Sequence, residues 1–194
     1  MNTTDTTATQ ARTANVFLTR GLVAIAWAVV FWTASRSLTT GLTVGVGVLL
    51  VLYPVIDLVA SLFDARSQTG SARRLLLVNA GVSAVTAVAL GVAATGTTSD
   101  VLYVFGLWAA LTGAAQLVVA LRRRALLGNQ WPLLLANGVS IVGGTAFVLA
   151  AAAGHPKVGM LAIYAATGGV EFVIQAWLIM RRRRRPTITV AAQH

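Results

Sequence analysis

The chain has no cysteine. Without thiols there is no disulfide framework, no thiolate metal site and no thiol nucleophile. Charge is equally scarce: Asp, Glu, Lys and Arg make up 10% of the 194 residues, where a soluble domain carries roughly 25%. So few charges do not cover the surface of a soluble chain of this size. That excludes a soluble enzyme domain, a disordered chain and a coiled coil together. Histidine is limited to His155, in a short turn, and His194, at the C-terminus, so neither joins Asp57 or Glu171 in a metal site. No Gly-rich phosphate loop and no zinc-protease helix motif is present. Ser61, Ser83 and Ser140 have no histidine near enough for a triad. An intramembrane aspartyl enzyme needs two facing carboxylates, and here Asp57 and Glu171 would have to close on each other, with a Glu in an unusual role. The expectation is a non-enzyme, with no catalytic residue, cofactor or metal.

Apolar residues are what the chain has, at 57%, with 18 glycines besides. A helix needs about 20 mostly apolar residues to cross a hydrocarbon core of ~30 Å. Six such runs are legible, over residues 16–34, 42–63, 75–94, 101–121, 132–153 and 158–180. None shows the period-2 alternation of a membrane β-strand. The fold class expected is an all-α integral membrane protein with six transmembrane helices arranged as three tandem helical hairpins. Short polar turns at 35–41, 95–100 and 154–157 separate the runs, and Pro132 and Pro156 suit first helical turns. Residues 1–14, rich in Thr, and 186–194 read as disordered tails. The domain between them covers 15–185, with hairpins at about 16–66, 73–124 and 131–183.

Basic residues orient the bundle. One set of ends carries thirteen, namely Arg12, Arg20, Arg66, Arg73, Arg74, Arg122 to Arg124 and Arg181 to Arg185, and the opposite ends carry Arg36 and Lys157. Cytoplasmic loops are enriched in Lys and Arg, so both termini are expected inside. The first span ends in the bulky Phe31-Trp32, which does not suit a signal-peptide cleavage site. The run Arg181 to Arg185, directly after a span, reads as a topology anchor that touches anionic lipid headgroups and not as a nucleic-acid patch. Trp32, Trp131 and Trp177 suit interfacial belts, whereas Trp27, Tyr53, Trp108 and Tyr164 are deeper and expected to pack inside.

An internal repeat runs through the spans. Residues 53–61 align without gaps with 108–116 and 163–171, at intervals of 55, and Gly81-Val82-Ser83 echoes Gly138-Val139-Ser140. Each even-numbered span then carries two polar residues four apart: Asp57 and Ser61, Thr112 and Gln116, Thr167 and Glu171. Residues four apart share a helical face, so each repeat is expected to turn a small polar stripe toward the other helices. Asp57 and Glu171 are the only acidic residues within the runs. Ionisable groups at depth mark a pair, a relay or an ion path. Arg20, four residues into its own span, is at a depth similar to Asp57, roughly 9 Å at ~1.5 Å per residue. An Arg20 pair with Asp57 or with Glu171 is therefore expected. The candidate intramembrane polar residues are Arg20, Asp57, Gln116, Thr167 and Glu171.

Arg20-Gly21 opening the first span, six spans as three tandem hairpins, and the Gly-rich stretches Thr112-Gly113 and Thr167-Gly168-Gly169 resemble the bacterial HdeD-like family of acid-resistance membrane proteins. The resemblance covers about residues 16–180, and Leu58 and Pro54 depart from it in the first repeat. It implies an inner-membrane protein linked to acid or envelope stress, with no catalytic activity and no site residues to transfer. The competing expectation is a small transporter or proton-conducting protein using Asp57 and Glu171. The outer halves of the spans hold almost no polar residue, which opposes a pore through one copy. A homo-oligomer is compatible with the sequence, and protein partners are not legible in it.

Overall fold

The structure is a computed structural model and describes residues 3–36, 38, 41–66, 69–127 and 131–183. Six helices follow one another: α1 (Thr3–Arg36), α2 (Val44–Arg66), α3 (Gly70–Ala93), α4 (Thr98–Leu127), α5 (Trp131–Ala152) and α6 (Met160–Arg183). Among the described residues there is no strand. Five helices among the described residues are long and apolar enough to cross a membrane. The fifth in order, α5, is an apolar helix of 22 residues, Trp131–Ala152. Large apolar side chains stay exposed on every helix, among them Val30, Val48, Val85, Leu111, Val142 and Ile163. A helix apolar on its outward as well as its inward face belongs in lipid.

Two expected boundaries shift. The segment read as a disordered tail is helical from Thr3, because α1 continues well beyond its apolar run. Its Ala, Gln and Arg residues favour a helix, and an existing helix extends without a new nucleation cost. Pro156 lies four residues before α6 instead of in its first turn. The tail at 186–194 lies outside the described residues.

The turns follow from local chemistry. At the start of α4, the Thr97 N–H donates to Asp100 Oδ2 at 2.8 Å and the Asp100 N–H donates back to Thr97 Oγ1 at 3.2 Å, a capping box. At the end of α5, Gly154 has φ +71°. It lets the His155 and Gly154 N–H groups close on the Ala150 and Ala151 carbonyls, a Schellman ending that needs the left-handed conformation glycine allows.

The helices form a closed ring in which each packs on its two chain neighbours and α6 returns to α1. Facing residues pair in descending order against ascending order, as in Gly47 with Ala94, Val51 with Gly91, and Asp57 with Ser83. Adjacent helices are therefore antiparallel. The closest packing is between α2 and α3, α4 and α5, and α6 and α1, while the two helices of each sequence hairpin touch less. The repeat is a hairpin in sequence, yet the tight helix pairs bridge consecutive repeats and close the ring.

The ungapped 55-residue register holds for the second repeat and slips in the third. Trp108 is buried, whereas Ile163, its expected counterpart, is 58% exposed. Tyr164 takes the place instead: Trp108 Nε1 donates to Ser83 Oγ at 3.2 Å, and the Tyr164 hydroxyl meets Ser140 Oγ at 2.6 Å. The even helices thus repeat at 55 and then 56 residues.

Rings fill the ring's centre. Trp27 stacks on Phe31 and leans on Tyr53, with centroids 4.6 and 4.5 Å apart. Tyr53 meets Phe105 and Trp108, and Phe105 meets Phe147 and Tyr164, at 5.5–5.9 Å. These are edge-to-face and tilted contacts of the kind aromatic quadrupoles favour. Pro54 has no N–H to give the Leu50 carbonyl, and in that same turn the Trp27 indole donates to the Leu49 carbonyl at 2.8 Å. The main apolar core includes this layer and continues past it through Leu161 and Val158, next to Lys157.

Candidate functional site: the Arg20 ion cluster

Toward the Arg-rich end the interior changes character. Arg20 of α1 bridges two carboxylates of α2: Nη2 donates to Asp57 Oδ1 at 3.1 Å and Nη1 donates to Asp64 Oδ2 at 2.9 Å. Asp57 and Asp64 are seven residues apart, two helical turns, and so share a face. The planar guanidinium fork spans them in a way a lysine ammonium would not. Its flat face also lies over the Phe172 ring of α6, 5.0 Å from the centroid, a cation–π contact.

Asp57 is held from a third helix. Its Oδ2 accepts from Asn79 Nδ2 and from Ser83 Oγ, both at 2.8 Å. Asn79 and Ser83 are four apart on α3, one face again. Asn79 Nδ2 donates as well to Ser61 Oγ at 2.9 Å, and Ser61 is fully buried on α2. Through Trp108, which donates to Ser83, the network reaches α4. It touches α1, α2, α3, α4 and α6. Buried charge is costly unless paired and hydrogen-bonded, and Asp57 has both forms of compensation. Three donors on its two oxygens hold it in place between α1 and α3. Arg20 and Asp57 keep 19% of their side-chain surface exposed and Asp64 keeps 30%, so the cluster opens toward the Arg-rich end.

The other candidate residues are dispersed. Gln116 and Thr167 are exposed, and Thr167 Oγ1 donates to the Ile163 carbonyl of its own helix at 2.9 Å. The expected inward stripes on α4 and α6 are therefore corrected. In the third repeat the one-residue slip turns Thr167 outward, and on α4 Thr112 alone faces in, its hydroxyl bonded to the Trp108 carbonyl at 2.8 Å. Glu171 is part-buried and does not meet Arg20, which is engaged by Asp57 and Asp64. Among the described residues no three His, Cys, Asp or Glu side chains converge as metal ligands would.

Sequence reasoning offered Arg20 either Asp57 or Glu171, of which the structure takes Asp57, and it overlooked Asp64, which falls just past the apolar run at 42–63. The signal was present in its spacing of seven from Asp57. The donor Ser83 was noticed only as part of the repeat.

Comparison with protein-family models, with curated proteins and with solved structures finds no match for this chain. Its class rests on its own fold: six helices, no strand among the described residues, and multiple apolar helices long enough to span a bilayer. It is an all-α, multi-pass membrane protein.

Proposed function

We propose that this chain is a non-enzymatic protein of the bacterial inner membrane, HdeD-like in type, that contributes to acid or envelope stress tolerance. Both termini are cytoplasmic, and the Arg-rich end lies against anionic headgroups, with Arg66 over Phe63 and Arg181 over Trp177 as cation–π pairs at that level. Nucleic acid is not a partner; self-association is compatible with the exposed apolar surface. The observation that carries the reading is the closed axis. Tyr53, Phe105, Trp108, Phe147 and Tyr164 meet across it, and beneath them Asp57 is saturated with donors. Such a bundle is filled by rings along its axis, which suits a structural role in the membrane more than a reaction centre.

The test has two arms. A strain lacking the protein should survive an acid challenge less well and recover when the gene is restored. Proteoliposomes holding the purified protein should keep a pH gradient as long as empty liposomes do. A second reading, a proton-conducting or transport protein, is favoured by one observation: Glu171 lacks a partner among the described residues. Proton flux that vanishes in Glu171→Gln would establish that reading and overturn the first.

A further inference from the structure

The end of the ring away from the basic belt carries two basic residues, Arg36 and Lys157, against thirteen at the other end. Both line one cavity. Where Gly21 meets Gly169, α1 and α6 press backbone on backbone. Toward the Lys157 end the same pair meets differently. There Gly159 faces the Trp32 ring and Ser35 Oγ, each 3.6 Å from where a Cβ would stand. Beside them lies a cavity of about 330 Å³, at the lower end of the range of ligand sites. A side chain at 159 would enter that space, so the glycine keeps it open.

The lining is graded with depth. Arg36 ends α1 and Lys157 precedes α6, so both cations stand at the rim. Trp32 is about one turn further into α1, and Met160 and Ile163 belong to the first turn of α6. All three are exposed. On helices long and apolar enough to cross a membrane, an exposed apolar wall faces hydrocarbon. A tryptophan near the end of a span suits the boundary between headgroups and chains. The cavity therefore opens sideways, charged at headgroup level and apolar below it. A second cavity of about 300 Å³ shares Ser35, Lys157 and Gly159 and runs on to Leu38 and Thr98, which leaves room for a polar head.

The polar groups around it are largely committed, except the two cations. Arg36 and Lys157 form no ion pair among the described residues. Asp100 is the one acidic residue of the turns at this end, and its carboxylate accepts from the Thr97 N–H and hydroxyl. The Ser35 hydroxyl donates to the Trp32 carbonyl at 3.1 Å. The N–H groups of Met160, Leu161 and Ala162 donate to the Lys157, Val158 and Gly159 carbonyls. A guanidinium fork and an ammonium at one rim suit a phosphate. The apolar wall beneath them suits a chain attached to it.

We infer that this cleft between the end of α1 and the start of α6 binds one anionic phospholipid, its phosphate held by Arg36 and Lys157 and one acyl chain laid against Trp32, Met160 and Ile163. The site is at the opposite end from the Arg-rich belt. It needs only the membrane-spanning fold, and so holds whether or not the protein acts in stress tolerance.

The experiment uses the full chain in phosphatidylcholine vesicles that hold a minor fraction of phosphatidylglycerol. In one set the phosphatidylglycerol carries brominated chains, which quench tryptophan on contact, and in the other the phosphatidylcholine does. Trp32 quenching is the part that disappears in Trp32→Phe. Each basic side chain at a membrane surface favours anionic lipid by about fivefold. Phosphatidylglycerol should therefore quench Trp32 at a mole fraction about tenfold or more below that needed for phosphatidylcholine. Arg36→Gln with Lys157→Gln should abolish that preference, and Arg36→Lys with Lys157→Arg should keep most of it. Arg73→Gln with Arg74→Gln, which removes equal charge from exposed positions at the other end, should leave it unchanged. Equal quenching by the two lipids, or a preference that survives the Gln pair at 36 and 157, overturns the inference. Soluble glycerol phosphate should not compete. If it displaces the brominated lipid, the site takes a free phosphate and the lipid assignment is wrong. A Trp32 that neither lipid quenches would place a second copy over the cleft and overturn it as well.

Discussion

The α2–α3 pair and the α4–α5 pair occupy equivalent places in the ring and are held in different ways. Between α4 and α5 the backbones nearly touch: a Cβ on Gly144 would lie 2.5 Å from the Ala110 nitrogen and the Gly106 carbonyl, and one on Gly106 would lie 2.6 Å from the Gly144 carbonyl. The α1–α6 pair repeats this with Gly21 and Gly169. Between α2 and α3 the glycines are less confined, since a Cβ on Gly91 would meet Val51 at an ordinary 3.7 Å. There the cohesion comes from Asp57 and Ser61 facing Asn79 and Ser83. Lipid tails are as apolar as leucine, so membrane helices associate through close packing or through polar contacts. This chain uses both in one ring. The polar solution does more than join two helices, because Asp57 also recruits Arg20 and, through Ser83, Trp108.

The comparison is broken most severely at Arg20. Arg20→Ala takes away the cation that Asp57 and Asp64 share, and removing one partner of a buried pair costs about 3–5 kcal/mol. Unfolding in detergent should show a loss of that size. Adding Asp57→Asn should recover part of it, since one stranded charge is then gone. A double variant no more stable than Arg20→Ala would mean that Asp57 is held by α3 alone.

Gly144→Val tests the other interface. The added side chain meets backbone on two sides, and backbone cannot rotate away. Overpacking of this kind costs typically 1–3 kcal/mol, and the value here should be near the top, about 3 kcal/mol. A loss under about 0.5 kcal/mol, within the range of a neutral surface change, would show that α4 and α5 slide past each other freely. Asn79→Ala should cost less, about 1–2 kcal/mol, because two hydrogen bonds go while Arg20 and Ser83 still serve Asp57. The same substitution also removes Asn79 Oδ1, a buried acceptor with no partner among the described residues, which reduces the net loss.

The sequence carried different parts of this with different clarity. The six helices were legible because an apolar run of span length has few alternative readings. That Arg20 pairs with an acidic residue at depth was legible because an unpaired charge there is costly, but the choice of Asp57 over Glu171 was left open. Asp64 was missed because it sits where a span was taken to end, although its spacing from Asp57 puts both on one face. The tight pairing of α4 with α5 was not legible. Loops between helices 3 and 4 are as short as those that join repeats, and nothing in chain order says which neighbour packs closer. The register slip at Tyr164 escaped for a related reason: Ile163 and Tyr164 are both large and apolar enough to serve, and only contact with Ser140 decides between them.

The smallest effect is expected at glycines that serve neither interface. Gly81 and Gly138 lie inside α3 and α5, and a Cβ built on either meets nothing within 4 Å. They belong to the repeated Gly-Val-Ser element, so the repeat by itself would suggest a packing role for both. The geometry gives them none. Glycine inside a helix is less favourable than alanine by about 0.8–1.0 kcal/mol, through the backbone freedom lost on ordering. Gly81→Ala and Gly138→Ala should therefore leave the protein as stable as before or up to about 1 kcal/mol more stable. The sign separates them from Gly144→Val in the same unfolding assay. Destabilisation by Gly138→Ala comparable to that of Gly144→Val would place a neighbour against α5 that a single ring of six helices does not supply, and a second copy of the chain packed on that face would be the first arrangement to examine by cross-linking.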